Sequence, residues 1–277
     1  MSDDPRGVHR GDLRGTRRLQ SVFWWLCFAG TAWGLFGCGA GAHGPLEETI
    51  NQTYPLNSEA AVTVTNEDGA IWIYGGGDEL KVQATKKAYS AERLRRIRIN
   101  IVTAPDSASV TTDYPPKPKW GWSDRSGTVD YVIVVPESAR LVRADLASGE
   151  LAVEGLRGRV EARLRNGLLF ARNCFGDLEL SLATGNLSLS FDWWEKEKFS
   201  VNAAVEHGHI RSFFPGDGAL RLEAEAPAGK IANDFLEKEQ RQRTPTSKID
   251  MVIGGDSDAR VKLRADHGNI RVTETNP

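Results

Sequence analysis

The histidines and cysteines are the residues best suited to bind a metal or attack a substrate, and they are few. The chain has 5 His and 3 Cys among 277 residues. His207 and His209 are two residues apart in a strand-like segment, so their side chains would share one face. A zinc site needs three or four ligands, and none stands near this pair. The sequence therefore predicts no metal site and no cofactor. His207 and His267, each before a glycine, are interpreted as turn residues that tolerate positive φ.

Catalytic motifs are equally scarce. The chain has no nucleophile elbow, phosphate loop or zinc-protease helix. Glycines at nine-residue spacing invite comparison with calcium-binding nonapeptides, but those require Gly-Gly-x-Gly-x-Asp in each unit. Cys174 lies between Asn173 and Phe175 and is interpreted as a small buried residue. The sequence predicts a protein that is not an enzyme. The alternative is an enzyme acting on envelope polysaccharide, which needs clustered carboxylates with shifted pKa values.

Tryptophans in two long segments between strands are the candidate binding residues. A loop tryptophan loses apolar burial unless it packs back on the fold or meets a ligand. Trp120 and Trp122 are the first choice, since Pro115, Pro116 and Pro118 stiffen the chain before them. Trp193 and Trp194 are the second choice. The alternative is that all four rings cover the edges or ends of the fold.

The first residues resemble a targeting signal. Ser21 to Gly37 is a run of seventeen uncharged residues after an arginine-rich start, which is typical of a signal peptide or a short anchor. Leu35-Phe36-Gly37-Cys38 resembles the lipobox of bacterial lipoproteins. The resemblance implies removal of residues 1–37, acylation of Cys38 and a lipid anchor in the membrane, with Gly39 favouring the outer membrane. The alternative is an uncleaved anchor in the inner membrane.

Composition excludes several classes of protein. The chain has 35 Lys and Arg against 37 Asp and Glu, so its net charge of -2 gives no reason to bind nucleic acid. Three cysteines exclude a disulfide framework. A hydrophobic fraction of 40% with 26% charged residues is typical of a globular domain.

Short strands dominate the pattern after residue 56. Apolar residues alternate with polar ones in segments such as Leu80-Lys81-Val82-Gln83-Ala84, which predicts half-buried strands. Only residues 90–96 have a helical pattern, with Ser90 as the cap and Arg93 in water. Five glycines stand nine residues apart: Gly149, Gly158, Gly167, Gly176 and Gly185. The residues before them alternate in type, so the full repeat is eighteen residues.

Two all-β architectures fit this repeat: a single-stranded β-solenoid with about eighteen residues per coil, or an antiparallel β-meander or sandwich. The spacing alone does not separate them. Leu-Ala-Ser-Gly-Glu-Leu-Ala-Val from Leu146, Leu-Arg-Asn-Gly-Leu-Leu-Phe from Leu164 and Leu-Ala-Thr-Gly-Asn-Leu-Ser-Leu from Leu182 resemble repeats of the adhesin-like DUF4097 family. That resemblance implies the solenoid.

The predicted organisation is a signal peptide at 1–37, a flexible linker at 38–47 and a β-solenoid domain at 48–277. Within the domain, irregular strands at 56–135 precede regular coils at 141–191 and looser coils at 199–273. The predicted function is a membrane-tethered envelope lipoprotein with a non-catalytic, adhesin-like scaffold. Its expected partners are the membrane, through the lipid anchor, and an envelope glycan or protein. A regulatory component of an envelope-stress system is a further alternative.

Overall fold

The computed structural model describes residues 44–116, 126–236, 246–255 and 257–275. Cys38, Trp120 and Trp122 therefore lie outside the described residues. The described chain is all-β, with one short helix, α1 (Ala91–Arg96). The strands are β1 (Leu46–Pro55), β2 (Ala61–Gly75), β3 (Glu79–Ala88), β4 (Arg98–Ala104), β5 (Ser107–Asp113), β6 (Thr128–Val135), β7 (Leu141–Glu154), β8 (Arg159–Arg172), β9 (Asp177–Ser190), β10 (Ser200–Pro215), β11 (Leu220–Glu225), β12 (Ile231–Asn233), β13 (Lys248–Ile253), β14 (Arg260–His267) and β15 (Ile270–Thr275).

Five long strands, β2, β7, β8, β9 and β10, each contain a glycine in a left-handed conformation near the middle. Gly167 of β8 has a φ of 138°, and a Cβ added there would overlap the carbonyl oxygen of Gly149 in β7. No other residue fits such a position without moving the backbone. We call the part of each strand before this glycine the leading arm and the part after it the trailing arm.

The central strands pair in parallel at the spacing of the sequence repeat. Leu151 of β7 pairs with Leu169 of β8, which pairs with Leu187 of β9. Each step is eighteen residues, so the predicted period is confirmed as a backbone register. The next step, from Leu187 to Ile210 of β10, is five residues longer. The extra residues lie between β9 and β10, away from the glycines.

Antiparallel strands flank this parallel centre. On one side β6 and β1 both pair antiparallel with β3, and β4 pairs antiparallel with β5. On the other side β11 pairs antiparallel with β13. The result is one mixed sheet whose main path begins at β1 and ends at β13. β1 was not predicted as a strand, because its ten residues contain few large apolar side chains.

The core is made by side chains that alternate inward along the strands. Leu151, Leu169 and Leu187 are each at most 1% exposed and stack through the register described above. Aromatic side chains continue this core beyond β9, where the Phe191 and Phe199 rings lie 5.5 Å apart and the Phe191 and Phe214 rings 5.8 Å apart. All five long strands therefore contribute side chains to one core.

Local predictions had mixed outcomes. The helix is confirmed, and Ser90 caps it by accepting a hydrogen bond from the Arg93 backbone N–H at 3.2 Å. The placement of Arg93 in water is wrong, since that residue is 5% exposed. The prediction of positive φ at His207 and His267 is also wrong, because Asn173 is the only non-glycine residue with positive φ among those described. The adjacent Gly208 takes the left-handed conformation instead. α1 has six residues, and no helix in the described part is long and apolar enough to cross a membrane.

Candidate binding surfaces

The outer side of the trailing arms carries four large apolar side chains, which we call the aromatic face: the half-buried Trp72 and the exposed Tyr74, Leu168 and Phe170. Tyr74, Leu168 and Phe170 are 38%, 40% and 36% exposed. The register places Ala152 between Trp72 and Phe170. Two strand spacings separate these rings, about 10 Å. A group of partly exposed apolar side chains on one side of a sheet marks an interaction surface more often than isolated exposed residues do.

The carboxylates of Glu150 and Glu154 lie beside the aromatic face, and one of them orients the Trp72 ring. The Trp72 indole Nε1 donates a hydrogen bond to Glu150 Oε1 at 2.7 Å, which holds the ring in one orientation. Partial burial, and after it the charges of Glu154 and Glu150, raise the pKa of the Tyr74 hydroxyl. Tyr74 therefore keeps its proton as a hydrogen-bond donor at neutral pH. The face thus presents rings and hydrogen-bonding groups together.

The outer side of the leading arms is charged instead, and we call it the charged face. Glu161 lies at its centre, with Arg143 Nη2 at 2.7 Å, Arg159 Nε at 3.1 Å and Arg163 Nη2 at 3.4 Å from its carboxylate oxygens. The hydrogen bond from Arg143 is the main cause that lowers the pKa of Glu161. Arg163 Nη1 also lies 3.8 Å from Asp145 Oδ1, so each of the three arginines already has a carboxylate partner within the protein.

A shallow groove of about 520 Å³ runs where the leading arms meet the glycine bends. One residue of each long strand leaves the pairing there opposite the unpaired residue of its neighbour, so the register continues unchanged across the glycine. From β2 to β10 these residues are Glu67, Ala147, Arg165, Ala183 and Glu206. Arg165 therefore has an acidic residue on either side, two strands away. The charges alternate along the groove rather than converge on a single ligand group.

Trp193 and Trp194 extend the aromatic core, with Trp193 exposed and Trp194 half-buried. Trp193 is 50% exposed, lies 5.9 Å from the Phe175 ring and donates through Nε1 to Glu195 Oε1 at 3.1 Å. Trp194 packs against Phe199 at 5.2 Å and Phe191 at 5.6 Å between ring centroids. These contacts correspond to the capping alternative at Trp194 and leave part of the Trp193 ring available.

The segment holding Trp120 and Trp122 lies outside the described residues, but its flanks are described. The buried Arg93 side chain donates through Nη1 to the Pro116 carbonyl oxygen at 3.1 Å and through Nε to the Ser126 carbonyl oxygen at 2.8 Å. One guanidinium therefore joins the chain on both sides of residues 117–125.

The histidines and Cys174 have structural surroundings. His207 and His267 stack at 4.8 Å because β10 and β14 pair in parallel at these residues. His209 Nδ1 accepts a hydrogen bond from the Asn269 backbone N–H at 3.1 Å. Within the described ranges, no three metal-binding side chains are grouped to hold an ion. Cys174 is 1% exposed, and burial raises its pKa to about 11, which confirms its interpretation as a buried residue.

The aromatic face was not predicted, although the sequence has large apolar residues at outward positions of the strands that form it. Assigning Leu169 to the core places its neighbours Leu168 and Phe170 on the outer side, where polar residues are expected. Trp72 and Tyr74 alternate with the buried Ile71 and Ile73 in the same way. Large apolar residues at outward positions of two different strands were therefore readable as an exposed patch.

No family model and no curated protein matches the chain. Among solved structures, a proposed cell adhesion protein from Clostridium sporogenes is similar over 83% of this chain and 100% of its own, with 15% identity and a TM-score of 0.49. A proposed adhesin from Bacteroides fragilis covers 82% of this chain and 97% of its own, with 12% identity and a TM-score of 0.28. A proposed lipid-binding protein from Parabacteroides distasonis covers 83% and 95%, with 11% identity and a TM-score of 0.29. Likeness at this level assigns no function to the chain.

Proposed function

We propose that this chain is a bacterial envelope lipoprotein whose all-β domain is a non-catalytic, adhesin-like scaffold that binds envelope glycan on the aromatic face. The observation that carries the proposal is the set of rings on the outer side of β2 and β8, with Trp72 held by Glu150. Exposing this much apolar surface is unfavourable in a monomer, so a partner that covers it would stabilise the exposed rings.

We also propose that the bent strands are coils of a β-solenoid. The support is the parallel pairing of β7, β8 and β9 in steps of eighteen residues, each with its bend at an aligned glycine. A solenoid of this kind offers long outer faces with a constant spacing between coils. Such a face suits a polymer with its own repeat better than it suits a small molecule.

The chemistry of the aromatic face favours a neutral glycan. Flat rings pack against the C–H faces of sugar rings, and Trp72 and Phe170 stand about 10 Å apart, within the reach of neighbouring sugars in one chain. The bordering carboxylates of Glu150 and Glu154 accept hydrogen bonds from sugar hydroxyls. The same carboxylates would repel an anionic polymer.

Binding is tested with the full-length protein in detergent, by calorimetry with a purified neutral surface polysaccharide and, for comparison, with an anionic one, which should bind more weakly. The double variant Trp72→Ala, Phe170→Ala should lose at least tenfold in affinity. The matched control on the other face is Arg165→Ala, which should bind as the parent does. Unchanged binding by the double variant contradicts the proposal.

A second variant separates the aromatic face from the loop tryptophans. Trp120→Ala, Trp122→Ala removes the rings that the sequence favours for binding. If this variant loses the glycan while Trp72→Ala, Phe170→Ala keeps it, the loop is the binding site and the aromatic face is not. Melting temperatures of all variants distinguish lost binding from lost folding.

The lipid anchor is supported by the uncharged run that ends in a lipobox-like tetrapeptide at Cys38. A single acyl chain holds a protein only marginally, so the multiple acylation of bacterial lipoproteins is needed for firm anchoring. Replacing Cys38 with Ser should abolish incorporation of labelled fatty acid in a bacterial host. Equal labelling of Cys38→Ser and the parent contradicts this part of the proposal and leaves the glycan site untouched.

A further inference from the structure

β1 has a free edge. It pairs with β3 along one side, from Leu46 with Ala88 to Pro55 with Glu79, and no described strand pairs with its other side. The ten pairs are continuous, without a bulge. An uncovered strand edge is a row of unpaired N–H and C=O groups that can accept another strand.

Lysines and bulges, two of the usual devices that prevent edge pairing, are missing from β1, and its one core-side charge, Glu48, is paired with Lys86 Nζ at 2.8 Å. The strand Leu-Glu-Glu-Thr-Ile-Asn-Gln-Thr-Tyr-Pro contains no lysine or arginine, and its one proline is the last residue. Residues Thr49 to Tyr54 form an uncharged stretch. Native edges are commonly protected by lysines, prolines or bulges. β1 therefore has the features of an edge that can pair with another strand.

The core side of β1 carries apolar side chains that are only partly covered. Even-numbered residues of β1 face this side, since their partners in β3 are buried. Leu46 is 45% exposed, and Ile50 and Tyr54 are half-buried. A further strand beside β1 would add side chains on this side and cover these three residues.

We propose that β1 pairs antiparallel with β1 of a second copy of this chain, about a two-fold axis at Ile50. Facing residues in an antiparallel pair point to the same side of the sheet, so core-side residues must face core-side residues. Centring on Ile50 achieves this. Ile50 faces itself, and Leu46 faces Tyr54 of the second copy.

The polar residues fit the same register. Glu48 faces Gln52 of the second copy, and Glu47 faces Thr53. Gln52 Oε1 already accepts a hydrogen bond from the Tyr54 hydroxyl at 2.7 Å, which leaves its amide nitrogen to donate to a carboxylate. Centring the pair on Glu48 instead would place the two Glu48 carboxylates opposite each other, which is destabilising. Centring on Thr49 or Asn51 would place Glu48 opposite Ile50 or Tyr54, and centring on Gln52 would leave Leu46 without a facing residue. The side chains therefore favour the register centred on Ile50.

The contact is small for a stable dimer. Specific interfaces bury about 800 Å² on each partner, more than one strand pair provides. The dimer is therefore expected to be weak in solution and stronger when both copies are confined to a membrane. The pairing involves neither the aromatic face nor a glycan, so it stands or falls separately from the proposed function.

The first experiment is sedimentation equilibrium of the full-length protein in detergent over a range of concentrations. The parent should show a monomer–dimer equilibrium. Ile50→Lys, which places two like charges at the axis, should weaken dimerisation at least tenfold. The matched control is Val102→Lys on β4, the edge strand beside β5, where Val102 is 68% exposed. That variant should dimerise as the parent does.

The second experiment keeps the proposal testable if Ile50→Lys fails to fold. Ile50→Cys in native membranes should give a disulfide-linked homodimer on mild oxidation, and Gln83→Cys on the outer side of β3 should not. The parent, treated alike, controls for its own cysteines. A parent that stays monomeric together with no Ile50 cross-link overturns the proposal. A cross-link of Ile50→Cys to another protein, or within its own chain, also overturns it.

Discussion

The charged face and the aromatic face lie on the same strands and cover the same core, yet their outer side chains differ in kind. On the charged face Glu161 is bound by three arginines of β7 and β8. On the aromatic face the corresponding outward positions of β8 hold Leu168 and Phe170. Inward positions of β7, β8 and β9 are leucine, valine or alanine on both arms.

This difference distinguishes strand positions where folding restricts the residue type from positions where it allows many residue types. Inward positions must fill the core, so both arms satisfy them alike. Outward positions of a strand tolerate polar and apolar residues with little change in stability. The charges on one face are paired with one another, whereas the apolar side chains on the other face have no role in packing the core. The patch is therefore the better indicator of function.

Gly167→Ala should have the largest effect, because the added Cβ overlaps the Gly149 carbonyl oxygen and disturbs both arms at once. We expect a loss of more than about 3 kcal/mol in the free energy of unfolding, measured by urea denaturation. Gly77→Ala is the control, since Gly77 also has positive φ but no atom lies within 4 Å of the added Cβ. It should cost about 1 kcal/mol. Equal losses would mean that crowding between the strands is unimportant.

Leu169→Ala should come next, since it leaves a cavity beneath both faces. Leu169 is fully buried between Leu151 and Leu187, so a loss of about 2 to 5 kcal/mol is expected. Arg165→Ala, at an exposed position of the same strand, should change stability by no more than about 0.5 kcal/mol. Denaturation curves of the two variants that coincide would contradict the assignment of inward and outward positions.

Glu161→Gln tests the charged face and should cost about 1 to 3 kcal/mol at pH 7, because three arginines lose their shared carboxylate. The pKa of Glu161 is lower in the folded protein than in the unfolded chain. Its contribution is therefore complete above the unfolded pKa of about 4.3 and is lost as the pH falls through the folded pKa. Unfolding at pH 7 and at pH 3 should show the difference between parent and variant shrinking at the lower pH. A constant difference would exclude ionisation as its origin.

Leu168→Ser should have the smallest effect on stability, about 0.5 kcal/mol or less, because Leu168 is 40% exposed on the aromatic face. Its neighbour in sequence, Leu169, provides the comparison. Thermal unfolding of the two variants measures the difference between faces most directly. A fall in melting temperature for Leu168→Ser similar to that of Leu169→Ala would show that the aromatic face is a packing surface.

Much of the centre of the fold could be predicted because its neighbours in space are neighbours in sequence. The glycine spacing gave the step between β7, β8 and β9, and with it the inward leucines. The contact of β2 with β7 joins residues eighty positions apart, such as Trp72 and Ala152, and no local period encodes it. For the same reason the aromatic face, which spans β2 and β8, was missed. The burial of Arg93 escaped prediction because it depends on the distant Pro116 and Ser126 carbonyls.

The column of glycines also limits how the domain can change in length. Gly149, Gly167, Gly185 and Gly208 lie so close that each occupies the space a side chain of the next would need. Adding or removing residues next to these glycines would break the column, whereas the five extra residues between β9 and β10 lie outside the paired strands and leave it intact. Tandem duplication or deletion of eighteen codons would keep every glycine in the column. The gene can therefore lengthen or shorten the sheet by whole eighteen-residue repeats, and accept longer connections between one strand and the next.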